Sequence, residues 1–161
     1  MAAMNPAGST VVVSAPLSEL SALGRTVPGL HLAAIGPDHF TGLADCLLAA
    51  RPQLGELKAA KAQVTSALKG ERGRLLPGAS PVALVEGQVV GSLQIVVVEA
   101  HPLVVELVVH PQWRRRGVAS VMLASAATRL ALGHFATVVA HLPEPIDPAL
   151  DEFCQAVGFV R

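Results

Sequence analysis

Val109-His110-Pro111-Gln112-Trp113-Arg114-Arg115-Arg116-Gly117-Val118-Ala119 joins two kinds of sequence. Residues 103–109 read as a β-branched strand, whereas Val118, Met122, Ala126 and Leu130 recur at i+4 spacing, one helix face, up to Gly133. A strand therefore feeds through a proline turn into a helix whose first residues bring together three arginines, a glycine and small side chains. Unpaired amides and the positive end of the helix dipole gather there, which makes an anion site. Gly117 and Ala119 let a phosphate come close to the backbone. Three consecutive arginines also suit a solvated basic turn. The order strand, proline turn, Arg-x-x-Gly-x-Ala and apolar helix favours the anion site.

Outward from this stretch the period alternates. Upstream, residues 82–86 and 89–98 are β-branched runs about Gly87-Gln88, a hairpin, and His101-Pro102 is a turn into the third strand. Earlier still, residues 30–35 form a short strand, and Gly36-Pro37-Asp38 opens a helix whose face is Leu43, Cys46, Leu47 and Ala50 and which stops before Pro52. A second helix is expected over residues 53–68, with residues 71–74 as a solvated loop after it. Downstream, residues 136–141 are a strand, and Asp147-Pro148 starts a last helix that ends at Gly158. The order is strand, two helices, three strands, helix, strand, helix, an α/β chain of the α+β type. Residues 1–29, rich in Pro, Gly, Ser and Ala, read as an N-terminal extension with one β-prone run at 10–13. The domain proper is expected over residues 30–161.

Composition bounds the function. The 161 residues carry 12 Lys plus Arg against 12 Asp plus Glu, so bulk charge gives no hold on nucleic acid. Hydrophobic residues at 52% against 15% charged specify a packed core rather than disorder. Apolar runs are too short to span a bilayer, and no basic residue precedes Val11-Val12-Val13 as a signal peptide would require, so a cytoplasmic protein is expected. Cys46 and Cys154 lack metal-ligand spacing and read as small buried thiols. There is no tyrosine, so no step can use a Tyr hydroxyl.

Arg114, Gly117 and Ala119, preceded by Val109 and Pro111, resemble the signature of the GNAT superfamily of acyl-CoA-dependent N-acyltransferases. The element order over residues 30–161 and the closing Ala156-Val157-Gly158-Phe159 are similar to that family too. The resemblance implies a GNAT fold, a central mixed, mostly antiparallel twisted sheet flanked by helices. It also implies a C-terminally short version, because such domains continue past Gly-Phe into two more strands. Residues 10–13, of this chain or of a second copy, are expected to fill that edge. Acetyl-CoA is the implied co-substrate, with no metal. Its pantetheine would run along Leu107, Val108 and Val109, and its pyrophosphate would lie on the amides of Arg115, Arg116, Gly117, Val118 and Ala119, in a turn that includes Arg114 and Ser120. Asp147 stands where the family often has an asparagine. Cys154 stands where it commonly has the tyrosine that protonates the leaving thiolate. The run from Val105 to Gly117 also resembles part of one half of mycothiol synthase, too short a stretch to transfer a substrate.

For the general base the local candidates are Glu106 and His101. Burial among residues 103–109 would disfavour the charged form of a Glu106 carboxylate and make it basic, as proton abstraction needs; the other reading is a paired or snorkelling residue on a strand edge. His101 suits a loop, His141 either the acceptor pocket or a structural role, and Trp113 a lid over the turn or a core anchor. The expected activity is transfer of an acetyl group from acetyl-CoA to a primary amine by direct attack. The alternative is an acyl-CoA-binding module without efficient transfer. Implied partners are a small-molecule or peptide amine and a second copy of the chain, with neither nucleic acid nor membrane.

Overall fold

The structure is a computed structural model that describes residues 9–161, so the first eight residues of the expected extension lie outside the described residues. In chain order the elements are β1 (Thr10–Pro16), α1 (Leu17–Ser21), β2 (Leu30–Ala34), α2 (Phe40–Ala50), α3 (Leu57–Leu68), β3 (Arg74–Leu75), β4 (Pro81–Val85), β5 (Gln88–Val98), β6 (His101–Val109), α4 (Val118–Leu132), β7 (Thr137–Pro143) and α5 (Pro148–Val157). The strands form one seven-stranded sheet in the order β1-β7-β6-β5-β4-β2, with β3 pairing β5 off this path. Every neighbouring pair is antiparallel except β6 and β7.

Side-chain alternation divides the core into two clusters, one on each face of the sheet. Leu93 and Ile95 of β5 pack with Val118, Met122, Ala126 and Leu130 of α4 and with Leu17 and Leu20 of α1. Val82 of β4 and Val108 of β6 pack with Leu43 and Leu47 of α2 and Ala60 and Val64 of α3. Gly91 lets α4 approach the sheet, since a Cβ there would stand 3.1 Å from both Met122 Cε and the Val108 carbonyl oxygen.

Several expectations shift. The β4–β5 turn is Glu86-Gly87, both at positive φ as a two-residue hairpin requires, one residue earlier than Gly87-Gln88. Glu99 and Ala100 make the next turn in the same way, so His101 opens β6 rather than lying in a loop. The second helix begins at Leu57, not near residue 53, because Pro52–Leu54 is a single 3-10 turn and Gly55, at φ 83°, breaks the path. Residues 71–74 are not simply a solvated loop. Arg74 pairs with Val97, and the Arg72 side chain turns inward.

The N-terminal segment is woven into the sheet. β1 pairs with β7 over its whole length, from Thr10 opposite Pro143 to Pro16 opposite Thr137, and Ser14 exchanges two 2.9 Å backbone hydrogen bonds with Val160. Val13, Ala15, Leu17 and Leu20 are buried in the same cluster as α4. Composition alone suggested an extension; residues 10–21 share the core of the rest.

Candidate active site

Between β6 and α4 the chain makes the turn that the arginine-rich run encodes. Pro111–Trp113 is a 3-10 turn, capped by His110 Nδ1, which accepts from the Gln112 amide at 3.2 Å. Arg115 and Gly117 then take positive φ, 62° and 90°, and Gly117 caps α4 with no side-chain hydrogen bond. The Val121 amide donates to the Gly117 carbonyl at 3.0 Å, the first bond of the helix, so the amides of Val118, Ala119 and Ser120 precede the helical ladder and are free for a ligand.

These residues line a cleft of about 810 Å³, whose other walls include Ala22–Gly24 after α1, Val109, and Phe153, Ala156 and Val157 of α5. Arg25 also lines it, with its Cδ 3.2 Å from where a Cβ on Gly117 would stand. Neither Arg25 nor Arg115 has an ion-pair partner among the described residues. Arg116 stacks over Trp113, 4.7 Å from the ring centroid, and Arg114 reaches away to the Ala50 carbonyl at 3.4 Å. Trp113 thus joins both expectations, since it lines the cleft and packs against the α4 cluster.

β6 leads from this cleft into the sheet. It pairs with β7 only at Leu103–Val139 and Val104–Ala140, and beyond those residues the two strands part. The His110 amide donates to the Val90 carbonyl at 2.8 Å, so ladder alternation turns the amides of Leu107 and Val109 to the opposite edge, the one β7 has left. A register shift opposite Gln94 and Ile95 leaves Val105 without a partner on β5, a bulge four residues before Val109. Leu107 and Val109 pack towards the α4 cluster, whereas the Val108 side chain belongs to the α2–α3 cluster.

Glu106 follows the bulge and points to the α2–α3 face. It is 5% exposed, on an interior strand rather than an edge. Arg51, just past α2, ion-pairs with Oε1 through Nη2 and donates to Oε2 through Nη1 at 3.1 Å. Gln63 Nε2 and Arg72 Nη1 each lie 3.4 Å from Oε2. Of the two readings of Glu106, the paired one describes its surroundings. Beside it, Ser92 and Gln94 help to line a cavity of about 10 Å³, the size of one water, and Gln94 Oε1 is buried with no hydrogen-bond partner.

The other candidates fall elsewhere. Cys154 is 6% exposed, in the α4 cluster, and not among the side chains lining the cleft. Burial, helped by the negative charge of Asp151, raises its thiol pKa and makes it a weaker proton donor. Asp147 spends Oδ1 on capping α5, accepting from the amides of Ala149 at 2.9 Å and Leu150 at 3.1 Å, and does not line the cleft either. His101 and His141 are exposed. Cys46 is buried, and desolvation lifts its thiol to about 11 against a weaker opposing hydrogen bond with the His110 backbone. Sequence reading missed Arg25, Arg51, Gln63 and Arg72. A lone Arg in a Gly- and Pro-rich segment gives no signal, and Arg51 and Arg72 were masked by a helix end and an apparent loop.

The same architecture recurs in solved structures. A functionally unknown conserved protein from Staphylococcus epidermidis superposes with a TM-score of 0.71 at 17% identity, over 95% of this chain and 57% of that one. A GCN5-related N-acetyltransferase from Sphaerobacter thermophilus gives 0.67 at 14% identity, over 95% of this chain and 48% of that one. The chain thus spans about half the length of these two. The aminoglycoside N-acetyltransferase AAC(6′)-Iy, in complex with the bisubstrate analogue CoA-S-monomethyl-acetylneamine, gives 0.64 at 16% identity, over 82% of this chain and 91% of that one. At such identities the likeness establishes the fold. No curated protein sequence matches the chain. The family model of the acetyltransferase (GNAT) domain matches residues 78–161, more than half of the chain and the part that carries the turn, both strands that part and α5. This chain belongs to the GNAT acetyltransferase family.

Proposed function

We propose that this protein transfers an acetyl group from acetyl-CoA to a primary amine by direct attack. The observation that carries the reading is the cleft at the head of α4, with free amides on Val118, Ala119 and Ser120 and with Arg25 and Arg115, which have no ion-pair partner among the described residues, next to the edge where β7 parts from β6. The pyrophosphate takes the amides of the turn from Arg115 to Ser120, and Arg25 adds a cation from the N-terminal segment. The pantetheine extends the open ladder of β6 from Val109 past the backbone of Val108 to Leu107. Four residues of strand, about 13 Å, bring it from Val109 to Val105, so the thioester arrives beside the bulge and Glu106.

There the neutral amine attacks the thioester carbonyl carbon, and the developing oxyanion accepts a hydrogen bond from an edge amide of β6. The C–S bond breaks, the CoA thiolate leaves, and the surplus proton on nitrogen passes to Glu106, directly or through a water in the small cavity beside Ser92 and Gln94. Water protonates the thiolate, since Cys154 is buried away from the cleft. Thiol release from acetyl-CoA across a broad panel of amines, with acetyl-CoA affinity measured by calorimetry, tests the reading. Turnover with at least one amine is expected. Tight binding with no turnover would favour an acyl-CoA-binding module, the reading that the lack of tyrosine and the buried Cys154 support.

A further inference from the structure

The acceptor side of this site holds more positive charge than its own carboxylate neutralises. Arg51 and Arg72 both turn to Glu106, and no other carboxylate pairs with either of them among the described residues. Glu106 Oε2 alone has Arg51 Nη1 at 3.1 Å, Gln63 Nε2 at 3.4 Å and Arg72 Nη1 at 3.4 Å. Charge-assisted hydrogen bonds are normally about 2.7–2.9 Å long, so one oxygen is serving three donors poorly. The carboxylate is buried, its side chain 4% exposed, while Arg51 and Arg72 are partly exposed, at 37% and 25%, and Arg72 Nη2 donates to the Val105 carbonyl at 3.0 Å. Two cations around one buried anion leave one positive charge beside Glu106.

We propose that Arg51 and Arg72 bind a carboxylate of the acceptor, so that the substrate is a primary amine with a free carboxylate, an amino acid or the C-terminus of a small peptide. The inference rests on the acetyltransferase reading and names its substrate class. Guanidinium forks match a planar carboxylate in two-point contact, and both side chains are partly exposed. When the acceptor carboxylate draws Arg72 away, Oε2 of Glu106 loses one of its three donors and the carboxylate loses one of its two cationic partners. A carboxylate that is fully engaged in the unliganded site thereby becomes available as a base once the right substrate is in place.

The test compares matched acceptors on the unaltered protein: amino acids and dipeptides, each beside its carboxamide, with acetyl-CoA saturating. Carboxamides of α-amino acids hold more free amine at pH 7.5, so chemistry alone favours them. We expect the carboxylates to win in kcat/KM by at least about tenfold, the scale of one hydrogen bond to a charged group. Arg51→Gln should erase that preference. A second measurement needs no turnover: N-acetyl amino acids should bind the CoA complex more tightly than their amides do by calorimetry. Equal or better use of the amides, together with equal binding of the two N-acetyl series, overturns the inference and leaves the acetyltransferase reading standing. Tight acetyl-CoA binding without turnover of any amine overturns both.

Discussion

At Gly117 the backbone holds φ 90°, and a Cβ would meet Arg25 Cδ at 3.2 Å. Gly117→Glu therefore adds left-handed strain of about 1–2 kcal/mol and sets a negative charge where the proposed phosphates lie. Acetyl-CoA affinity should fall by about 100-fold or more in calorimetry, and Arg25→Gln should lower it by about tenfold. At Glu106 the informative readout is a pH profile. Glu106→Gln should slow acetylation by about 100-fold at pH 7 and far less at pH 9, where free amine is abundant. Cys154→Ala should change little at either pH. The buried thiol of Cys46 gives a third prediction. Its pKa rises from 9.0 unfolded to about 11 folded, so its contribution to stability is whole below pH 9 and is lost as pH climbs towards 11. Melting temperature should decline across that window, by an amount equivalent to roughly 2–3 kcal/mol at most, and less steeply in Cys46→Ala.

Among the elements, β1 and α1 carry the clearest stability prediction. Val13, Leu17 and Leu20 are each buried to within 4% exposure, and each such side chain contributes about 1.5–3 kcal/mol. A chain beginning at residue 22 would lose all three and uncover the β7 edge, a large share of the roughly 5–15 kcal/mol that holds a domain together. We expect it to melt far lower or to aggregate, as judged by calorimetry and light scattering. The elements that were readable in the sequence are those whose signals are local. The period of α4, the Asp147-Pro148 start of α5 and the β-branched runs of β5 and β6 each state their own conformation. The break at Gly55 was misread because helix-compatible residues stand on both sides of it. The edge strand expected at residues 10–13 is β1, of this chain and longer at Thr10–Pro16, but its partner β7 lies more than a hundred residues away and no local pattern names it.

For the whole molecule, the same contrast separates the two halves of the candidate site. The turn from Arg114 to Ser120 is one continuous segment whose residue types mark a strand-to-helix turn, so its place at the head of α4 could be read directly. The surroundings of Glu106 are assembled from α2, α3, the loop before β3 and β6, and only folding brings Arg51, Gln63 and Arg72 to one carboxylate. Sequence could mark Glu106 as an odd charge in an apolar strand; it could not give its partners. The pairing of Thr10 with Pro143 has a further consequence during synthesis on the ribosome. Of the described strands, the earliest made is nearly the last to be satisfied, because β7 must emerge before it has a neighbour. Until then Val13, Leu17 and Leu20 remain open to chaperones and proteases, and the loop that carries Arg25 to the cleft cannot be set in place. Nascent chains halted before residue 137 should therefore be cut readily within residues 10–25, while the full-length chain resists the same protease dose.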